Sequence, residues 1–301
     1  IDSIAITDHG DMYGVIDFYK AAKAAGIKPV IGCEVYLAPA SRRDAFEVDG
    51  TRYYHLILLA ENSTGYKNLV KLVSLANMEG MYYKPRIDKE LLREYHEGII
   101  CLSACIAGEI PQMILRDNME RADALVSEYL EIFGRDNFFL EIQDHGMPEE
   151  KKSNAGLIAL AKKHGVGLVA TNDAHYLRRE DSEFHDVLLC IQTGKTIDDP
   201  SRMRFSSDDF YLKSPREMQS LFADHPEALA NTVRIAERCN VEFDFEHRHL
   251  PNFPLPEGMT DEMYLRKLCE DNIHERYPEI TTEIRERLEY ELGIIHHMGF
   301  D

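Results

Sequence analysis

Six apolar runs alternate with helical patterns along the first 175 residues of the chain. The runs occupy residues 2–7, 29–37, 53–60, 98–103, 138–143 and 166–171. They are continuously apolar rather than alternating, which is typical of strands that are buried on both faces. Helical spacing lies between several of them, as in the segment 125–133, which ends at Gly134. This pattern predicts an α/β fold with a largely parallel sheet.

Two departures from regular alternation refine the prediction. Residues 38–52 are polar and lack helical spacing, so the strands on either side are predicted to form a hairpin, and the fold to be an irregular barrel. After about residue 185 helical segments dominate, at 215–222, 226–238 and 261–276. The segment from Leu250 to Gly258 is rich in proline and cannot form a long helix. We therefore predict a domain transition between residues 240 and 258.

Charge and cysteine content narrow the class of protein. The formal net charge is −19, so the chain gains no general attraction to phosphate backbones. The six cysteines form no dense framework and are expected to be reduced thiols in the cytoplasm. No apolar run approaches the length of a membrane span, so no membrane association is expected. The chain begins at Ile1 and stops at Asp301 without a natural terminus, which suggests a fragment cut at both ends.

Side chains that commonly bind metals lie at or near the ends of these apolar runs. They are His9, Glu34, His55, Cys105, Asp173 and His175. In barrel-like α/β folds the carboxyl ends of the strands carry the chemistry. Together these side chains predict a polynuclear metal centre, and the reaction that fits such a centre is metal-assisted phosphoester hydrolysis.

Each candidate also has a plainer interpretation. His9 could be a structural residue in a turn that Asp8 caps, although Asp8 could equally orient His9 as a ligand. His55 and Cys105 could be ordinary core residues. A carboxylate such as Glu34 inside a buried strand is costly unless an Arg, a Lys or a metal pairs with it.

Two further positions complete the candidate site. Alternation along an extended segment places Asp173 and His175 on the same side, although they could instead be a helix-capping Asp and a surface histidine. His145 follows another strand and is either a residue that supports the ligands or a loop residue. Nothing in the chain matches a phosphate-binding loop, a dinucleotide-binding fingerprint or a nucleophile elbow.

The order of these motifs resembles the metal-ligand series of the PHP (polymerase and histidinol phosphatase) family. The matching motifs are TDHG at 7–10, GCEVY at 32–36, YYHL at 53–56, LSAC at 102–105 and NDAH at 172–175. The resemblance implies a distorted (β/α)7 barrel with a trinuclear centre of zinc, manganese or iron. It also implies nine ligands, of which three would lie upstream of Ile1. Cys105 stands where many members have histidine, and a thiolate favours a softer metal such as zinc.

Segments away from the ligands resemble the bacterial C-family replicative DNA polymerases. They are residues 62–69, 185–194, 210–214, 228–232, 250–254 and 287–293. The resemblance implies a PHP domain over 1–240 and a mainly helical lead-in to the polymerase palm over 241–301. The palm carboxylates that would hold Mg²⁺ would lie beyond Asp301.

This resemblance also implies partners and an activity. The partners would be DNA, dNTPs, a sliding clamp, a clamp loader and possibly a proofreading subunit. The PHP domain would be either a metal-dependent 3′–5′ exonuclease or a docking platform for that subunit. A stand-alone PHP phosphoesterase is the alternative, although such an enzyme would have no use for residues 186–301.

Overall fold

The computed structural model describes residues 1–247 and 253–301. The strands are β1 (Ser3–Ile6), β2 (Lys28–Leu37), β3 (Tyr54–Ala60), β4 (Met81–Tyr82), β5 (Lys84–Ile87), β6 (Ile99–Leu102), β7 (Phe138–Ile142) and β8 (Gly167–Ala170). The helices are α1 (Val15–Ala24), α2 (Ser63–Glu79), α3 (Lys89–Glu94), α4 (Glu109–Leu115), α5 (Met119–Phe133), α6 (Pro148–His164), α7 (Ser182–Thr193), α8 (Pro215–Leu221), α9 (Pro226–Arg238), α10 (Asp261–Arg276) and α11 (Thr282–Met298).

The strands and helices form a mixed α/β fold with one curled sheet, consistent with the distorted PHP barrel expected from the sequence. The strand order is β4-β5-β2-β3-β6-β7-β8, and β1 pairs with β2 beside this path. All six predicted strands are present. The short strands β4 and β5 escaped prediction because Lys84, Pro85 and Arg86 interrupt any apolar run there.

The largely parallel sheet is interrupted at β3, where the predicted hairpin lies. This strand is antiparallel to both of its neighbours, β2 and β6. The cause is the connection of residues 38–53, which contains no crossover helix and therefore returns the chain as the predicted hairpin. Four other pairings, β1 with β2, β2 with β5, β6 with β7 and β7 with β8, are parallel.

The sheet is buried on both faces, as its continuous apolar runs predict. On the inner face, Val30, Ile57 and Val169 pack with Ile235 of α9. On the outer face, the sheet packs against α2, α4, α5 and α6 through residues such as Leu58. Burying a leucine side chain of this kind contributes about 2 kcal/mol. This double packing makes the sheet a rigid support for side chains at its ends.

The chain divides into two compact units, Ile1–Phe243 and Asp244–Asp301. The second unit contains α10 and α11, which are linked by an ion pair of 2.6 Å between Arg266 and Glu289. The start of the proline-rich segment, residues 250–252, lies outside the described residues. Within the two described ranges, no helix is both long enough and apolar enough to cross a membrane.

Candidate metal centre

The predicted ligand residues gather at one end of the curled sheet. His9 follows β1, Cys105 follows β6, and both Asp173 and His175 follow β8. Glu34 lies within β2, and five of the six residues line one cavity of about 770 Å³. The sixth is the histidine at position 55. It is the second residue of β3, and because β3 runs antiparallel to β2 and β6, the amino end of β3 lies where those strands have their carboxyl ends.

The long strand β2 organises the centre. Its first half pairs with β1, from Lys28 to Ile31, and its last two residues pair with β5. Between these pairings, the backbone of His9 bridges to Glu34. The Gly10 amide donates to the Glu34 carbonyl oxygen at 2.9 Å, and the Glu34 amide donates to the Asp8 carbonyl oxygen at 3.0 Å. Asp8 therefore contributes to the position of Glu34 through its main chain.

The Glu34 carboxylate lies between two histidines. Its Oε1 is 2.6 Å from Nδ1 of His55, and its Oε2 is 3.7 Å from Nδ1 of His9. One ligand atom from each of these three residues lies within 4.8 Å of the others. Burial alone would raise the pKa of Glu34, but the hydrogen bond with His55 and the nearby histidine charges outweigh burial and lower it. The two carboxylate oxygens thus face different histidines.

Cys105 adds a thiol to the same group. The Ala104 backbone has a φ of 63°, and this left-handed residue turns the chain sharply after β6. The Sγ atom of Cys105 lies 3.7 Å from His55 Nδ1 and 4.0 Å from Glu34 Oε1. Burial, followed by the charge of Glu34, raises the pKa of this thiol well above its usual value. A thiolate here needs a cation beside it.

Asp173 and His175 reach the cavity from the segment after β8. The two side chains approach each other at 3.8 Å, and the His175 ring centroid is 6.1 Å from that of His9. Burial, followed by the charge of Glu34, raises the pKa of Asp173. Their shared orientation does not arise from strand alternation, because β8 ends at Ala170 and Asp173 has a left-handed φ of 47°. The prediction that these two side chains share one side because of an extended backbone is therefore wrong.

His145 lies beneath that segment and supports it. Its Nδ1 is 2.6 Å from Oε1 of Glu150, and its Nε2 is 2.8 Å from the carbonyl oxygen of Asn172. Both ring nitrogens thus face oxygen atoms that can accept a hydrogen bond. The ring is buried and stacks on Phe210 at 3.9 Å. His145 therefore holds the backbone next to Asp173.

Sequence reasoning missed Glu141, a buried carboxylate on β7 that lines the same cavity. The Thr171 hydroxyl and the Gln143 amide, at 3.0 Å, donate to its Oε1. Its signal, an acid within an apolar strand, is the same one that identified Glu34. His185 was also missed, and its ring lies 5.6 Å from that of His175. No sequence pattern distinguishes it from a surface histidine on α7.

Two tyrosines and a lysine lie near His55. Tyr53 stacks near His55 with ring centroids 6.2 Å apart and an interplanar angle of 11°. Tyr36 stands edge-on to Tyr53 at 4.9 Å, and the Lys84 ammonium lies 5.5 Å from the Tyr36 ring. The partly exposed ring of Tyr53 suits the stacking of a nucleobase, and Lys84 suits the pairing of a phosphate.

Known proteins are similar to nearly the whole chain. Residues 1–145 match the PHP domain family. The chain carries a PHP domain. Over 99% of its length it is also 49% identical to the DNA polymerase III subunit alpha of Treponema pallidum and 46% identical to that of Borreliella burgdorferi. The Thermus aquaticus subunit is 49% identical over 93% of the chain.

The chain spans about a quarter of the length of these relatives, namely 26%, 24% and 26% of the three proteins. The chain is thus similar to one part of the bacterial DNA polymerase III alpha subunits, and this part includes the PHP domain.

The side chains of this PHP domain fit a divalent metal centre. Three acidic side chains share one cavity and are mostly buried, namely Glu34, Asp173 and Cys105. Ionising one of them therefore makes it more costly to ionise the others. Imidazole, carboxylate and thiolate groups are together the donors that zinc prefers, and manganese or iron can also use the first two. Divalent cations at this position would neutralise the clustered negative charge.

Proposed function

We propose that this PHP domain binds two or three divalent ions and hydrolyses phosphodiesters at the 3′ end of a DNA strand. The observation that carries this proposal is the gathering of ligand-type side chains at one end of the sheet, where five of them line a single cavity and His55 of β3 lies 2.6 Å from Glu34. The set consists of His9, Glu34, His55, Cys105, Asp173 and His175. A structural role for each residue alone would not require them to meet.

Within this site, the chain's own residues would hold the metal ions in place. Glu34 offers one oxygen to the His9 side and one to the His55 side, which suits a bridging ligand. His175 and Asp173 would close the set from the segment after β8. Divalent ions bound here would supply Lewis acidity to a phosphoryl oxygen and activate a water molecule.

Side chains near His55 support a nucleotide substrate. Tyr53 is partly exposed beside His55, so it can stack on a terminal base. Lys84, which lies next to Tyr36, can pair with a phosphate. The remaining surface of this acidic chain offers little general attraction to DNA, which favours delivery of a strand end over binding along a duplex.

For the whole protein, we propose template-directed DNA synthesis, with Mg²⁺ held by palm carboxylates outside this chain. Residues 1–240 would be the PHP domain and 241–301 the start of the palm region, close to the division between compact units at Phe243. DNA, dNTPs, a sliding clamp and a clamp loader would be its partners in the cytoplasm. Similarity to polymerase subunits along 99% of the chain supports this over a stand-alone phosphoesterase.

A second function is a docking platform for a proofreading subunit, with the metals only bracing the fold. The exposed apolar side of α7 favours it. Phe184, Leu188 and Ile191 lie on one helix face at spacings of four and three residues and are 69%, 61% and 73% exposed. Such a stripe is typical of a surface that another protein covers.

Nucleotide release from a labelled primer 3′ end separates the two functions. The intact protein is prepared without any separate proofreading subunit, stripped of metal and reloaded with Zn²⁺ or Mn²⁺. We expect metal-dependent release that falls at least 100-fold in His9→Ala and Asp173→Ala. His96→Ala, at an exposed histidine outside the site, is the matched control. Metal binding with release no greater than in the two site variants would exclude the exonuclease and favour the platform.

A further inference from the structure

Among the inner strands, β7 contributes none of the six expected ligands. It lies between β6, which leads to Cys105, and β8, which leads to Asp173. Its residues alternate between the two faces of the sheet: Leu140 and Ile142 pack into the outer core, whereas Phe139 packs with the inner one. Glu141 must therefore face inward, and it lines the cavity that holds the candidate ligands.

One oxygen of Glu141 lacks a hydrogen-bond partner among the residues that the structure describes. Oε1 accepts hydrogen bonds from Thr171 and Gln143, and the Glu141 amide donates to Ser103 Oγ at 2.8 Å. Oε2 is buried and accepts no hydrogen bond from the described residues, and the residue is only 4% exposed. A buried carboxylate oxygen without a donor is costly, so its retention calls for a ligand.

The charges around Glu141 indicate the sign of that ligand. The pKa of Glu141 is raised to about 7, because burial and the negative charges of Asp173 and Glu34 outweigh the hydrogen bonds from Thr171 and Gln143. The largest effects of neighbouring charges on it thus come from two carboxylates. The missing partner of the ionised form is a cation.

We propose that Glu141 serves the divalent metal centre as a further carboxylate ligand, presenting Oε2 from β7. This inference rests on the metal centre put forward under the proposed function. With Glu141 included, β7 joins the neighbouring strands in contributing a donor to the cavity. The hydrogen bonds to Oε1 fix the carboxylate and leave Oε2 free, which is how supporting groups orient a ligand.

The test measures metal affinity and thermal stability in the intact protein. Glu141→Gln keeps the shape of the side chain and an oxygen that can accept from Thr171, but it removes the charge. We expect Zn²⁺ and Mn²⁺ affinity, measured by competition with a chelator, to fall at least 10-fold. We also expect the metal-free variant to melt at the wild-type temperature or higher, and the rise in melting temperature on adding metal to shrink.

Glu109→Gln is the matched control. Glu109 is likewise buried, but its Oε2 is already paired with Lys89 and Tyr129, both at 2.9 Å. This variant should lose stability with and without metal and keep wild-type metal affinity. If Glu141→Gln fails to fold, Glu141→Asp retracts the charge instead, and the Co²⁺-loaded protein should then show an altered visible spectrum.

The outcomes separate this inference from the proposed function. Wild-type protein that binds no divalent metal overturns the metal centre as a whole. Wild-type protein that binds metal while Glu141→Gln retains its affinity, or Glu141→Asp its Co²⁺ spectrum, overturns only the role of Glu141.

Discussion

His145 and Glu150 form a buried ion pair in which the Nδ1 and Oε1 atoms are 2.6 Å apart. The same carboxylate accepts from the His145 backbone amide at 2.7 Å. With its other nitrogen, His145 donates to the carbonyl oxygen of Asn172, the residue before Asp173. The pair therefore joins the start of α6 to the segment that carries two of the six candidate ligands.

Breaking this pair should cost both stability and metal affinity. His145→Leu leaves the charge of Glu150 buried without its partner, so we expect the free energy of unfolding to fall by about 3 kcal/mol. Metal affinity should fall about 10-fold because the Asn172 carbonyl loses its donor. Urea unfolding and chelator competition measure the two effects.

The control is His164→Leu. His164 pairs with Asp123 at 2.8 Å, away from the cavity, and the aspartate is partly exposed. Its loss should cost less than about 1 kcal/mol. Unchanged metal affinity in His145→Leu would show that the pair supports the fold alone.

Much of the fold follows from the apolar pattern, and the exceptions have local causes. The runs that form β2 and β3 are buried on both faces, so their composition alone marks them as strands. The hairpin between them followed from a connection too irregular for a helix. The strands β4 and β5 owe their place to pairing with β2 and to Arg86, which donates to the Gly80 and Arg42 carbonyl oxygens. Such distant contacts leave no local pattern.

The sequence likewise predicted only part of the candidate site. Glu34 stood out because an acid in a buried strand needs a partner, and Glu141 carries the same signal but lacked a recognisable motif around it. The closeness of Cys105 to His55 depends on the left-handed turn at Ala104. An alanine in the sequence does not predict such a turn. Asp173 likewise needs a positive φ that its sequence context does not require.

Stability of the metal-free protein should depend on pH through Glu141. Its folded pKa is raised from 4.5 to about 7, so the folded state binds the proton more tightly than the unfolded state does. The resulting stabilisation is fully present below pH 4.5 and is lost as the pH rises through 7. The total change is about 3 kcal/mol.

Urea unfolding of the metal-free wild type and of Glu141→Gln at a series of pH values measures this contribution. It is the difference between their two free energies of unfolding. The difference between wild type and variant should decline steadily across that interval. A difference independent of pH would mean that Glu141 is not buried as a proton-binding group.

Cys105 should determine the choice of metal. Replacement by serine removes the soft donor, so the preference for Zn²⁺ over Mn²⁺ should fall at least 10-fold. Competition between the two ions for the stripped protein measures the preference. Cys269→Ser, in the second compact unit, should leave it unchanged. An unaltered preference in Cys105→Ser would remove the thiol from the ligand set.

Gly32 has a specific steric role two residues before Glu34. A Cβ atom there would lie 2.7 Å from the Leu58 carbonyl oxygen and 2.6 Å from the Leu59 side chain. Gly32→Ala should therefore push β2 away from β3 and lower the free energy of unfolding by about 2 kcal/mol.

Gly293→Ala is the matched substitution for that experiment. No described atom lies within 4 Å of a Cβ at this position in α11, so alanine should stabilise the helix by up to about 1 kcal/mol. Equal effects of the two substitutions would contradict close packing of the strands at Gly32.

The most direct test of the account is the metal content of the intact protein after exhaustive dialysis against buffer with trace Zn²⁺ or Mn²⁺. We predict that the wild-type protein retains more than one divalent ion per chain at the PHP site. We predict that the double variant His9→Ala, Asp173→Ala loses them while remaining folded. Wild-type protein with no more metal than this variant would contradict the metal centre and every role assigned to its ligands.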